Sequence, residues 1–101
     1  MGDYQAALAL RGAAGRVQSG IEQRDSAIRI GASGATTFII RSGKFTIPGG
    51  SLNCERDFPS PTWSVLKGEL NPKDNDVVIL CGAQDDVSSR LGALAAASTL
   101  V

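Results

Sequence analysis

The sequence predicts an α+β fold with an N-terminal helix, an antiparallel sheet of about four strands in two hairpins, and a C-terminal helix. Apolar residues recur at helical spacing through residues 3–30, and two strand-like runs flank Ser42-Gly43. An apolar strand over Asp76–Cys81 then leads into a Leu/Ala-rich segment that begins with two aspartates. The alternative architecture is a small β-barrel with appended helices.

The length of the chain limits its domain organisation. With 101 residues, it is long enough for one hydrophobic core but not for two. We therefore expect a single domain over residues 1–101. Its parts are a helical segment 1–30, an antiparallel β region 35–81 and a C-terminal helix 85–100.

The N-terminal helix is predicted from apolar residues three and four positions apart, which would form one seam. The seam comprises Ala7, Leu10, Ala14, Val17, Ile21 and Ile28. Gly12, Gly15 and Gly20 lie off the seam, and each weakens a helix by roughly 1 kcal/mol relative to alanine. Such a helix needs packing, either against the protein's own sheet or against another copy. Leu10, Ala14, Val17 and Ile21 are therefore candidate interface residues.

A loop over residues 49–61 contains two X-Pro bonds. Loops of this length in a small domain are more often binding or lid elements than simple connectors. Phe58 and Pro59 complete the set of candidate interface residues.

The clearest local signal is the predicted hairpin around Ser42-Gly43. A two-residue loop containing glycine suits a tight turn, because glycine accepts the positive φ that such turns need. The register then places three pairs opposite one another: Arg41–Lys44, Ile40–Phe45 and Phe38–Ile47. The four apolar side chains would share one face, as a half-buried hairpin requires.

Two further strands and a helix follow. Thr62–Lys67 is predicted as the third strand, with Trp63 and Val65 on the core side, and Asp76–Cys81 as the fourth. Asp85 or Asp86 would cap the last helix, since acidic side chains are favoured at a helix N-terminus. The helix would direct its larger apolar side chains inward, namely Val87, Leu91 and Leu94.

The charge balance excludes some classes of partner. The net charge is zero, which argues against nucleic acid and anionic membranes as partners. However, residues 1–50 carry six basic and three acidic groups, whereas residues 51–101 carry four basic and seven acidic groups. This split is either chance or a sign of head-to-tail contact between copies.

The sequence contains neither an apolar run of membrane-spanning length nor a signal-peptide pattern at its N-terminus. We therefore expect a soluble protein that is not secreted by a signal peptide, located in the cytoplasm or in a virion.

Residue types argue against catalysis and metal binding. The chain has no histidine, so the usual base of nucleophilic catalysis is missing. Two cysteines cannot supply the four ligands of a closed zinc site. Cys81 ends an apolar strand and should be buried, whereas Cys54 lies in a polar loop and should be exposed. We expect no catalytic residue, no metal site and no cofactor.

One anion site is predicted. The Gly31-Ala-Ser-Gly34 segment, which includes Ser33, could bind an anion through its backbone amides. Arg41 and Lys44 flank the hairpin turn, and Arg29 could join them. The alternatives are a flexible link at Gly31–Gly34 and solvated charges at the tip of a hairpin.

These features together predict a non-enzymatic assembly subunit that acts by self-association or by contacts with other proteins. A viral particle, ring or shell component is an example of this class. The alternative is a small binding or regulatory module for an anionic ligand.

Overall fold

The computed structural model describes residues 2–101 and shows an α+β fold, as predicted. The strands are Tyr4–Leu10 (β1), Gly34–Arg41 (β2), Lys44–Thr46 (β3) and Val77–Ala83 (β4). The helices are Ile21–Arg29 (α1), Cys54–Asp57 (α2), Thr62–Leu70 (α3) and Asp86–Ser98 (α4), with a 3₁₀ turn at Ala14–Arg16. The strands form one open antiparallel sheet in the order β1-β4-β2-β3, so the barrel alternative is not supported.

Strand β4 lies in the interior of the sheet, and all seven of its residues are buried. Its unbroken apolar run is typical of a strand covered on both faces. Val77, Ile79 and Cys81 belong to a core formed with α1 and α4. Val78 and Leu80 belong to a second core that includes residues of α3, so the expectation of a single core is wrong: the sheet is covered on both faces. The predicted fourth strand is therefore confirmed.

The β2–β3 hairpin has the predicted register. Arg41 lies opposite Lys44 and Ile40 lies opposite Phe45, while Ser42 and Gly43 both have positive φ. Phe38, Ile40 and Phe45 are buried in the same core. The predicted third pair falls just outside the strand, because β3 ends at Thr46.

The predicted third strand is wrong. The second hairpin is also wrong, because it would have contained that strand. Residues 62–70 form helix α3, which buries Trp63 and Leu66 and leaves Val65 exposed. The alternation of residues 62–67 resembled a strand, but the spacing from Trp63 to Leu66 to Leu70 is helical. Asn71 has positive φ at the end of the helix, a conformation that asparagine tolerates better than most residues.

The predicted N-terminal helix over residues 3–30 is wrong except for α1. Met1, within the predicted helical segment 1–30, lies outside the described residues. Tyr4–Leu10 forms β1 and pairs along its whole length with β4, Tyr4 opposite Ala83 and Leu10 opposite Val77. Gly12, with φ of +67°, follows the strand and directs the chain into the 3₁₀ turn. Pairing with a distant strand overrides the helical propensity of alanine and leucine.

The C-terminal helix is confirmed, but the face that it buries differs from the predicted one. Asp85 caps it by accepting a hydrogen bond from the Ser88 amide at 2.8 Å. The buried residues are small and comprise Ser89, Gly92, Ala93, Ala96 and Ala97. Val87, Leu91 and Leu94 are exposed instead of facing inward. Small residues occupy the inner face of the helix because it approaches the sheet closely at Gly92, where a Cβ would lie 2.6 Å from Cys81 Sγ.

Candidate functional site

The structure does not support the predicted anion site at Gly31–Gly34. The amides of three successive residues already donate hydrogen bonds. Gly31 donates to the Ile28 carbonyl at 3.0 Å, Ala32 to the Ala27 carbonyl at 3.1 Å, and Ser33 to the Gly82 carbonyl at 2.8 Å. The three hydrogen bonds form where α1 ends and β2 begins. Because the three amides already donate within the protein, they are not available to an anion.

The three predicted cations also lie apart. Arg29 is the last residue of α1, whereas Arg41 ends β2 and Lys44 begins β3, on either side of the hairpin turn. Strand β2 has eight residues, which separates its two ends by roughly 23 Å at about 3.3 Å per residue. Arg41 donates to Asn75 Oδ1, and the Arg29 guanidinium contacts the Asp25 carbonyl at 3.4 Å.

The predicted interface seam is divided among different elements. Leu10 lies in β1, Ala14 is buried in the 3₁₀ turn, and Val17 packs partly against the core. Ile21 begins α1 and is exposed. These residues cannot form one continuous helix face.

Phe58 and Pro59 lie at the surface between α2 and α3. Phe58 is exposed, and its carbonyl accepts a hydrogen bond from Trp63 Nε1 at 2.8 Å. The predicted loop also contains α2, whose first residue, Cys54, is buried and not exposed as expected. A role for Phe58 and Pro59 in an interface stays a prediction.

The outer edge of β1 is a surface that the sequence analysis missed. β1 is the first strand of the sheet, and all its ladder bonds described for residues 2–101 go to β4. No side-chain hydrogen bond within that range reaches the backbone of Tyr4–Leu10. The strand has seven residues and none is charged. An uncharged edge strand of this length exposes unpaired N–H and C=O groups and is a template for another strand.

Apolar grooves flank this edge on both faces of the sheet. On one face, a cavity of about 350 Å³ lies between β1 and α3 and is lined by Ala7, Thr62, Val65 and Leu66, among others. On the other face, a cavity of about 230 Å³ lies between β1 and α4 and is lined in part by Leu8, Arg90 and Leu94. Val65 and Leu94 are each 58% exposed. We call β1, these two grooves and the two side chains the β1 edge surface.

The opposite edge of the sheet has a different character. β3 has only three residues, begins with Lys44 and contacts α2. A short edge strand with a lysine and a covering helix is a common protection against further strand pairing. The sheet therefore has one protected edge and one open edge.

Asp76 is the most buried carboxylate for which the structure gives a network. It accepts hydrogen bonds from the Lys73 amide at 2.8 Å, the Arg11 guanidinium at 2.9 Å and the Gly12 amide at 2.8 Å. The backbone bond from Lys73, followed by the bond from Arg11, lowers the pKa of Asp76. These contacts join the end of β1 to the loop before β4, so the role of Asp76 is structural.

The thiols are not activated. Both cysteines are buried, and burial raises the pKa of Cys54 and that of Cys81. For Cys54, the Ser51 hydroxyl lowers the pKa, by less than burial raises it, and the carboxylates of Asp57 and Glu55 raise it further. A raised pKa reduces the thiolate fraction, which is the nucleophilic form.

Among residues 2–101, no helix is both long enough and apolar enough to cross a membrane. Within the same range, no group of three or more histidine, cysteine, aspartate or glutamate side chains is placed to hold a metal ion.

Comparison with known proteins gives a family and a structural relative. A family model described as "Domain of unknown function (DUF4443)" matches residues 1–100. The structure is similar to that of "Hypothetical protein PH0730 from Pyrococcus horikoshii OT3", with a TM-score of 0.68 and 26% sequence identity. The match covers 83% of this chain and 43% of that one, so the chain spans less than half the length of this relative. No curated protein matches the chain. Because the family model covers nearly all 101 residues, the chain belongs to the DUF4443 family.

Proposed function

We propose that this chain is a non-enzymatic assembly module that forms a two-fold dimer through the β1 edge surface. The observation that carries the proposal is the open edge of β1, an uncharged strand of seven residues at the border of the sheet. Addition of a strand from a second copy would satisfy its free backbone groups and extend the sheet from four strands to eight.

The occupant we favour is a second copy because the edge is complementary to itself. A two-fold axis at Ala7 pairs Tyr4 with Leu10, Gln5 with Ala9, and Ala6 with Leu8 in antiparallel register. Like charges opposite one another disfavour strand pairing, and no charged side chain occurs in this segment. Two-fold contacts of this kind are the commonest in soluble oligomers.

The flanking helices support the same contact. Val65 of α3 and Leu94 of α4 border the edge on opposite faces of the sheet, and both are more than half exposed. In a dimer, each would meet the partner's surface on its own face and lose water contact. Burial of an aliphatic side chain of this size stabilises by roughly 1.5–3 kcal/mol.

The proposed contact differs from the one that the sequence suggested. Self-association remains the function, but the N-terminal seam is replaced by a strand edge, since Tyr4–Leu10 is not helical. The non-enzymatic part of the proposal is supported by the two buried thiols with raised pKa and by the occupied oxygens of Asp76.

Sedimentation equilibrium on the unmodified chain and two charged variants tests the proposal. Leu94→Glu and Val65→Glu place a charge on either side of the edge without touching the buried core. We expect the unmodified chain to be a dimer at tens of micromolar and both variants to be monomers with unchanged far-UV circular dichroism.

The matched control is Leu52→Glu, which changes another exposed leucine, in the loop between β3 and α2. This variant should remain dimeric. Hydrogen exchange should also show slower exchange of the β1 amides in the dimer than in the Leu94→Glu monomer. A monomeric unmodified chain, or a dimer that survives both charged substitutions, would contradict the proposal.

A further inference from the structure

The two faces of the β1 edge present side chains of different size. Ala6, Leu8 and Leu10 pack against the core that includes α4. Ala7 and Ala9 pack against the core that includes α3. The cavity beside α4 is the smaller one, at about 230 Å³, whereas the cavity beside α3 is about 350 Å³. The leucines of β1 therefore lie on the face with the small cavity, and two of its alanines lie on the face with the large one.

Pairing of two copies through this edge would fill one cavity and leave the other open. With the two-fold axis at Ala7, the partner's Leu8 lies opposite Ala6, and side chains directly opposite one another share a face of the sheet. The partner's Leu8 therefore enters the cavity beside α4. On the other face, only the partner's Ala7 lies opposite Ala7, and a methyl group cannot fill the cavity beside α3.

The same pairing would enclose the open cavity. The two-fold axis of an antiparallel strand pair stands perpendicular to the sheet, so both copies of α3 lie on the same face. The partner's β1 extends the floor of the cavity, and the partner's α3 forms a wall across from Val65, which is 58% exposed in one copy. A groove at the edge of one copy thus becomes a site to which both copies contribute.

The lining of this cavity indicates an uncharged, apolar ligand. Leu66 and Leu80 are buried beneath it, and Pro61 and Val65 are exposed beside it. Among residues 2–101, none that lines it is charged. An ionised group would lose water there without meeting an opposite charge, which is unfavourable. The volume falls within the range of about 300–1,000 Å³ for small-molecule sites.

Two neutral polar side chains at the same cavity limit the ligand further. Gln5 is exposed and has an amide group that can both donate and accept hydrogen bonds. The Thr62 hydroxyl accepts a bond from Ser60 Oγ at 3.1 Å, which leaves its own proton for another acceptor. A ligand with one hydroxyl or amide group can bind to both side chains.

We infer that the cavity between β1 and α3 binds a neutral, apolar small molecule that carries one hydroxyl or amide group. The molecule fills the space that the partner's β1 leaves open, so its binding stabilises the dimer. This inference rests on the proposed dimer and adds a ligand that controls it. Because coupling between two binding events is reciprocal, such a ligand must bind the dimer more tightly than the monomer.

Titration with 2-naphthol, followed by amide NMR, tests the ligand site. We expect saturable shifts for the amides of residues 5–7 and 62–66 in the unmodified chain. The anion 2-naphthoate has the same ring system and should bind roughly tenfold more weakly, because its carboxylate meets no cation in the cavity. The monomeric variant Leu94→Glu retains every residue of this lining and should also bind more weakly, because the partner's wall is missing.

Sedimentation equilibrium with and without saturating 2-naphthol tests the coupling between ligand and dimer. The dimer dissociation constant should fall by roughly tenfold, a common size for such coupling.

One variant and a matched control test the location. Val65→Phe enlarges an exposed side chain that lines the cavity, so it should remove the saturable shifts while the chain remains dimeric. The control is Val87→Phe, which enlarges an exposed valine of α4 outside the cavity. This variant should bind 2-naphthol as the unmodified chain does.

The outcomes separate this inference from the proposed dimer. A dimeric unmodified chain without saturable shifts, or with an unchanged dissociation constant at saturating 2-naphthol, would refute the inference and leave the dimer intact. Equal binding of 2-naphthoate, or equal losses in Val65→Phe and Val87→Phe, would show unspecific adsorption to apolar surface instead of a site. An unmodified chain that stays monomeric with and without 2-naphthol would overturn the dimer and the inference together.

Discussion

At the residue scale, three aromatic rings hold the β2–β3 hairpin against α3. The ring centroid of Phe38 lies 5.2 Å from that of Trp63 and 5.7 Å from that of Phe45, in edge-to-face contact. Such pairs add roughly 0.5–1.5 kcal/mol beyond the burial of their surface. The indole N–H of Trp63 is also satisfied by its bond to the Phe58 carbonyl. The cluster is therefore both apolar and free of an orphaned polar group.

Removal of the Phe38 ring should be costly. We expect Phe38→Ala to lower the free energy of unfolding by roughly 3–5 kcal/mol, because it leaves a cavity between two other rings. Phe58→Ala is the matched control, since that ring is 57% exposed, and it should cost much less. Urea denaturation of both variants measures the difference. Similar small losses would show that the cluster is not the main support of the hairpin.

The lowered pKa of Asp76 predicts how stability depends on pH. A carboxyl group whose pKa is lower in the folded state than the usual value of about 3.9 stabilises the fold fully above that value. This contribution is lost as the pH falls through the folded pKa. Asp76→Asn should therefore flatten the loss of stability below pH 4, as seen in thermal melts from pH 7 to pH 2. Arg11→Met should reduce the same loss in part, because without the guanidinium the folded pKa of Asp76 lies closer to its usual value.

At the element scale, the sequence predicted elements that carry their own local signals. The β2–β3 hairpin has a turn dipeptide and matched apolar faces, β4 has an unbroken apolar run, and α4 has an aspartate cap. β1 and α3 have no such signals. Tyr4–Leu10 contains helix-forming residues, and only its pairing with β4, far along the chain, makes it a strand. In α3, the alternation of residues 62–67 was equally misleading, because it indicated a strand.

The candidate interface could not be predicted for the same reason. An open edge exists only once the order of the strands is known, and the order β1-β4-β2-β3 depends on contacts between distant residues. The exposure of Val65 and Leu94 likewise depends on how α3 and α4 pack.

The close approach of α4 to the sheet predicts opposite effects for two glycines in helices. In an open site, Gly→Ala stabilises a helix by roughly 1 kcal/mol. A Cβ added to Gly68 in α3 would have nothing within 4 Å, so Gly68→Ala should raise the free energy of unfolding by up to about that amount. At Gly92, a Cβ would lie 2.6 Å from Cys81 Sγ and 2.8 Å from Ala32 Cβ. Gly92→Ala should therefore destabilise, with overpacking typically costing about 1–3 kcal/mol. Equal effects in thermal melts would show that α4 can shift away from the sheet.

At the scale of the whole molecule, the two edges of the sheet determine how copies can meet. The β3 edge is short, charged and in contact with α2, whereas the β1 edge is long and uncharged. Association through β1 alone uses the same surface on both copies and closes at two. Head-to-tail contact between the basic half and the acidic half would instead give a ring or a fibre.

These two modes respond differently to salt. The β1 contact joins backbone groups and apolar side chains, so raising NaCl from about 0.05 M to about 1 M should leave the dimer intact or strengthen it slightly. A head-to-tail contact between charged surfaces should weaken, because the Debye length falls to about 3 Å at 1 M salt. Sedimentation equilibrium at both salt concentrations measures the difference, with Leu94→Glu as the monomeric reference. A dimer that dissociates at the higher salt concentration, or assemblies larger than two at the lower one, would favour the charged contact over the strand edge.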